Sequence, residues 1–295
     1  MSVATLPFPP QSTTRRPFRL SSVGLYDILL METTMSDPYL PPETLDYIID
    51  FLHDEPETLK ECCLVSKSWI PRTRKHLFAD IKFNSADDLE MWKKTFSDHS
   101  GSPAYHTYTL LVRRPEVVTV VDAEEGGWVR TFSQVTRLSL AVDDSLATLG
   151  DLEVTLVPFH GFSPVLKSLH LSYNILPNSR VFDLVSTFPI LEDLTLVTNG
   201  PDVDGVPGFN APPPVARPLT SPAFTGTLDL NMYRGMGSPA RQLLGLPSGL
   251  HFRKLILSRF YEEDFRWIME LVGRCSDTLE CFDITCYPRG TFDLV

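Results

Sequence analysis

The sequence predicts an α/β protein, in which a block of short helices leads into strand-helix units that repeat and stack into one curved parallel sheet. Three observations carry this. Between Leu40 and Phe78 apolar residues recur at helical spacing, broken into short segments by prolines and acidic residues. Beyond residue 80 short runs alternate apolar and polar side chains, the period of two that half-buries a strand. These runs return at near-regular intervals. With Phe83, Leu110, Leu140, Leu171, Leu196, Leu230, Leu257 and Ile284 as equivalent points, the intervals are 27, 30, 31, 25, 34, 27 and 27 residues. That length suits one strand and one helix per repeat.

In the helical block, Pro41 and Pro42 stop what precedes them, and Pro42 fits a first helical position, where its missing N–H costs nothing. Leu45, Ile48, Ile49 and Leu52 then form one apolar stripe, with Glu43, Asp46 and Asp50 expected to face away. Asp54, Glu55 and Pro56 break that helix. Thr58 and Glu61 have capping-box spacing and place the second start there, with Leu59, Cys62, Cys63 and Val65 on the inner side. Pro71 interrupts helical hydrogen bonding after Trp69, before a last turn carrying Leu77 and Phe78. Leu64 and Trp69 are expected to be internal. About 40 residues bury too little surface to stand alone, so this block needs a partner or a neighbouring domain.

Strands are expected at Ile81 and Phe83, around Tyr108, Leu110 and Val112, and at Val135, Leu138 and Leu140. The spacing Leu166-x-x-Leu169-x-Leu171-x-x-Asn174 recurs as Leu191-x-x-Leu194-x-Leu196-x-x-Asn199, with looser copies at Leu228 and Leu230, at Phe252, Leu255 and Leu257, and at Leu279, Phe282 and Ile284. Helical stripes lie between them: Leu89, Trp92 and Phe96, with Ser85 and Asp88 placed to cap; Val181, Leu184, Val185 and Phe188; and Phe265, Ile268, Met269 and Val272. Neither strand nor helix can bury its apolar side alone, so successive units must stack. A doubly wound α/β domain is the alternative, but its strands run continuously apolar and these alternate. Residues 200–222 hold seven prolines and three glycines and read as a surface excursion between two repeats. Phe292-Asp293-Leu294-Val295 repeats Phe182-Asp183-Leu184-Val185, so the array reads as cut short.

Two resemblances follow from these residues. Leu40, Pro41, Ile48, Leu52, Cys62, Leu64, Val65, Ser66, Trp69, Leu77 and Phe78 resemble the F-box motif, and the wording Leu-Val-Ser-Lys-Ser-Trp is similar to F-box-like proteins expanded in fungi. The downstream spacing resembles irregular leucine-rich repeats, which often follow an F-box. The resemblance implies a tail over 1–37, an F-box over 38–79 and a repeat solenoid over 80–295. It further implies docking onto the small linker protein of a cullin-RING ubiquitin ligase through Leu40, Pro41, Ile48, Leu52, Val65 and Trp69, while the repeats hold an unidentified protein target. A repeat scaffold that recruits no ligase is the other reading.

Composition narrows the function further. A formal charge of -11 argues against a phosphate-tracking surface, and Lys67, Arg72, Arg74 and Lys75 read as a solvated face. Five cysteines, none in C-x-x-C, frame neither a disulfide scaffold nor a zinc site, and the seven histidines show no metal-ligand spacing. Cys62 and Cys63 lie on a face expected to be packed, where thiols are inert. Gly235-x-Gly237-x-x-Ala240 only superficially matches a dinucleotide fingerprint, because Pro239 removes a donor and the strand before it alternates. Asp202-x-Asp204 reads as turn carboxylates. Residues 1–37 carry Arg15, Arg16 and Arg19 with no acid before Asp27, yet read as a tail rather than a targeting segment. No run of 18 apolar residues is present. The expectation is a non-enzymatic adaptor of the cytoplasm or nucleus, using no cofactor or metal and binding neither nucleic acid nor membrane.

Overall fold

In the computed structural model, the described residues are 41–96, 102–113, 131–142, 157–174, 178–198, 222–232, 235–247 and 249–286. The chain divides into two compact units, residues 1–41 and 42–295, and Pro41 is the one described residue of the first. The second opens with three short helices, α1 (Pro42–Phe51), α2 (Pro56–Val65) and α3 (Ile70–Leu77). Prolines near their starts explain where each begins. Pro56 therefore initiates α2 rather than only ending α1, and Thr58 is not its cap. Thr58 sits inside the first turn and donates its hydroxyl hydrogen to Glu55 Oε2 at 2.9 Å. Ser66 caps the 3-10 turn at Lys67–Trp69 that leads into α3, accepting from the Ser68 amide at 3.3 Å.

The rest is a single sheet of eight parallel strands: β1 (Asp80–Phe83), β2 (Thr109–Arg113), β3 (Arg137–Ala141), β4 (Ser168–Tyr173), β5 (Asp193–Thr198), β6 (Thr227–Met232), β7 (Lys254–Phe260) and β8 (Cys281–Cys286). Their order in the sheet is their order in the chain. Right-handed crossovers that always step the same way put the connecting segments on one side of the sheet. A doubly wound sheet would reverse direction at a switch point, and this topology has none. Among the described residues the connecting helices are α4 (Ala86–Thr95), α5 (Asn178–Val185), α6 (Gly237–Leu244) and α7 (Phe265–Cys275), with 3-10 turns at Pro103–His106, Val157–Phe162 and Glu262–Asp264. Ser85 caps α4 as its sequence suggests, accepting from the Asp88 amide at 3.3 Å, while Asp88 Oδ2 takes the Asn84 amide at 2.8 Å.

Register follows from the alternation. One apolar row runs Ile81, Leu110, Leu138, Leu169, Leu194, Leu228, Leu255 and Phe282; a second runs Phe83, Val112, Leu140, Leu171, Leu196, Leu230, Leu257 and Ile284. Val112, not Leu110, is thus the partner of Phe83. Sequence alone offered only alternation at that point, and a two-residue shift leaves the same face buried. A backbone ladder ties equivalent residues just before the strands: the amides of Tyr108, Thr136, Lys167, Glu192, Gly226, Arg253 and Glu280 donate to the carbonyls of Ala79, Tyr108, Thr136, Lys167, Glu192, Gly226 and Arg253. Gly226 leaves room there for Asp193, whose Oδ1 takes the Thr227 amide at 2.6 Å and which a Cβ at 226 would push aside.

From β2 to β7 both rows are sealed, and each leucine so buried contributes about 1.5–3 kcal/mol. Phe132, Phe159, Phe162, Phe188, Phe224 and Phe252 fill the space beside them. An aromatic cluster of Phe78, Phe83, Trp92, Phe96 and Phe132, with centroids 4.5 to 6.2 Å apart, closes the β1 end. At the other edge Phe282 and Ile284 are 43% and 39% exposed. The α7 stripe is also rotated from expectation: Ile268, Leu271 and Cys275 are buried, whereas Phe265 and Met269 are exposed. Trp267 on the same helix packs toward α6, where a Cβ on Gly237 would come within 2.9 Å of its Nε1. Asn199, residues 200–221 and residues 287–295 lie outside the described residues.

Candidate partner-docking surface

The three opening helices enclose very little. Among the described residues of this block, Ile49, Leu59 and Cys62 are its buried apolar side chains, joined by Thr73, whose hydroxyl donates to the Trp69 carbonyl at 2.7 Å. Five of its other large apolar groups face outward: Tyr47 is 74% exposed, Ile48 40%, Phe51 80%, Leu64 78% and Val65 67%. Both α1 and α2 pack on α3 and on the 3-10 turn before it. The exposed groups are therefore carried on a supported frame and not on a loose tail.

The expected contact residues divide unevenly. Ile48 and Val65 are exposed, Leu52 and Trp69 are half-buried, Pro41 is exposed, and Leu40 lies outside the described residues. Three expectations are corrected. Leu64 is outward rather than internal, because the contacts of α2 with α3 are made by its other side, where Leu59 and Cys62 are buried. Val65 is likewise not on the inner side. Asp50 does not face away from the block; it binds Arg72 and His76 on α3. Tyr47 and Phe51 were not singled out by the stripe reading. The signal for them was present, since α1 holds more apolar residues than one stripe can bury.

The sheet offers a second, chemically different face. Opposite the buried leucines, one register row runs Lys82, Leu111, Ser139, His170, Thr195, Asp229, Ile256 and Asp283. Burial pushes the His170 imidazole below its ordinary value, against the pull of Asp229. Burial likewise pushes the Asp229 carboxyl up, opposed by His170 and Lys254 and reinforced by Asp283. This half-buried polar row is suited to hydrogen-bonded recognition and not to apolar adhesion.

The remaining motifs have structural explanations. At the start of α6 the Met236 amide donates to the buried Asp264 Oδ1 at 3.0 Å, and Asp264 Oδ2 takes the Tyr261 amide at 3.1 Å. That carboxylate takes the amide just before the helix, and Gly237 serves the close approach of Trp267. Cys62 is buried, and burial raises the thiols of Cys63 and Cys275. Among the described residues no group of His, Cys, Asp or Glu is arranged to hold a metal ion, and no helix is long and apolar enough to cross a membrane. In comparisons with known proteins, no family model, no curated protein and no solved structure matches this chain.

Proposed function

We propose that this chain is a substrate-recognition adaptor of an SCF-type cullin-RING ubiquitin ligase, acting in the cytoplasm or nucleus. Its helical block is read as an F-box that docks on the ligase's linker protein, and its strand-helix array as a leucine-rich-repeat-like platform for a protein target. The observation that carries the reading is the outward placement of Tyr47, Ile48, Phe51, Leu64 and Val65 on helices whose own core is three apolar side chains. Covering such groups contributes roughly 1.5–3 kcal/mol each before the costs of association. The role is non-enzymatic. Tethering raises the effective concentration of target lysines near the ubiquitin-charged enzyme, and other subunits supply the chemistry.

The test is co-purification of the tagged full-length chain with the linker protein, comparing wild type with Phe51→Ser/Val65→Ser. These positions are better probes than Trp69, which is half-buried and whose loss would disturb folding. Retention of the linker by wild type and its loss from the double variant are expected. Wild type that recruits no linker while still capturing other proteins through the array would replace this reading with that of a scaffold.

A further inference from the structure

On α1 the apolar groups Tyr47, Ile48 and Phe51 are turned out, and a carboxylate adds to the hold of Leu45, Ile49 and Leu52 on the inner side. Arg72 Nε donates to Asp50 Oδ1 at 2.6 Å, Arg72 Nη2 donates to Oδ2, and His76 Nε2 donates to Oδ1 at 2.7 Å. The forked Arg72 contact, more than His76, holds the Asp50 carboxyl well below the usual carboxylate range. Asp46, one turn earlier, adds its negative charge to the hold on Arg72. Inward, α1 contributes one fully buried side chain, Ile49, with Leu45 and Leu52 only half-buried.

Angular placement gives this cluster a purpose. At about 100° per residue, Asp50 projects to one flank of the Ile49 direction, while Ile48, Phe51 and Tyr47 occupy the sector that remains. Hydrophobic burial is non-directional. Burial alone leaves the roll of α1 weakly fixed, because a roll that covers Phe51 and Ile48 uncovers Ile49 in exchange. A planar guanidinium paired in a fork with a carboxylate is directional and fixes that rotation. We propose that Asp50, held by Arg72 and His76, is a positioning residue that locks the roll of α1 and keeps Tyr47, Ile48 and Phe51 presented to a partner. The role as a presenter of a docking face rests on the adaptor reading; the clamp itself does not.

The experiment uses the full-length chain and measures three quantities: affinity for the linker protein, amide exchange of α1, and the thermal midpoint. Asp50→Asn keeps the shape and removes the charge; it is expected to weaken linker binding about tenfold and speed α1 exchange, with the midpoint moved by no more than about 2 °C. Asp50→Glu retains a carboxylate within reach of the fork and is expected to bind within about threefold of wild type. Asp50→Asn that stays within twofold of wild type in affinity and leaves α1 exchange unchanged overturns the proposal, as does a Glu variant as weak as Asn. If wild type itself fails to bind the linker, the adaptor reading falls, and the α1 exchange comparison alone then decides the clamp.

Discussion

On α1 and α2 the aromatic and aliphatic side chains Tyr47, Phe51, Leu64 and Val65 face solvent, whereas from β2 to β7 every leucine of the two inward rows is 1% exposed or less. Both regions are rich in apolar residues, and the difference lies in what surrounds them. A strand in the array has a neighbour on each side and connecting segments over one face, so its inward positions are covered three ways. In the helical block the common support is α3 and the short 3-10 turn before it, and α3 is itself rich in polar side chains, with Arg74, Lys75 and His76 in its last turn. Stability is therefore concentrated in the sheet, while exposed apolar area, the raw material for binding, is concentrated in the helices.

Substitutions can break that contrast in either direction. The largest stability loss is expected from Leu196→Ala at the centre of the sheet, about 2–5 kcal/mol by denaturant unfolding, because both flanking strands are locked and cannot collapse into the cavity. A loss below about 1 kcal/mol would show that the central rows are not close-packed. Next comes a paired measurement along one row: Leu257→Ala should cost that full amount, and Ile284→Ala, at the open edge, about a third of it. Equal costs would mean that the β8 side chains are covered in solution. For the helices the expectation is inverted. Phe51→Ser/Val65→Ser should leave stability within roughly 0.5 kcal/mol of wild type by the same assay, while partner retention falls about a hundredfold.

The smallest effect sharpens the comparison on the polar face of the sheet. His170 binds protons less readily in the folded chain than its ordinary value, because burial disfavours the charged ring. As pH falls below about 6.5 the unfolded chain takes up the proton first, so this residue removes stability below that pH and is silent above it. In denaturation between about pH 7.5 and 5.5, His170→Asn should show a flatter dependence than wild type. An unchanged slope would mean that His170 is solvated and the polar row open.

Much of the array was legible in the sequence. The period of two marks which residues of β3 to β8 share a face, and Leu169, Leu171, Leu194 and Leu196 are sealed as that period requires. The cap at Ser85 was equally local and equally readable. At β2 the equivalence of Leu110 with Phe83 rested on alternation alone, and the pairing instead sets Leu110 beside Ile81 and Val112 beside Phe83. The rotation of α7 was not readable either, since the face a helix buries depends on what packs against it, and α7 packs on α6, which lies far from it in the chain. On α1 the stripe pointed to Ile49 correctly, yet it could not show that Ile48 would stay outside or that Asp50 would turn inward to Arg72.

By itself, then, the sequence determined the α/β class, the order of helices and strands and the face each strand buries, because those follow from local periodicity, prolines and caps. Only the tertiary structure decided which apolar side chains remain uncovered at Tyr47, Phe51, Leu64 and Val65, and how α1 is oriented on α3. Exposure is a property of neighbours far away in the chain, and no local pattern encodes whether such a neighbour arrives.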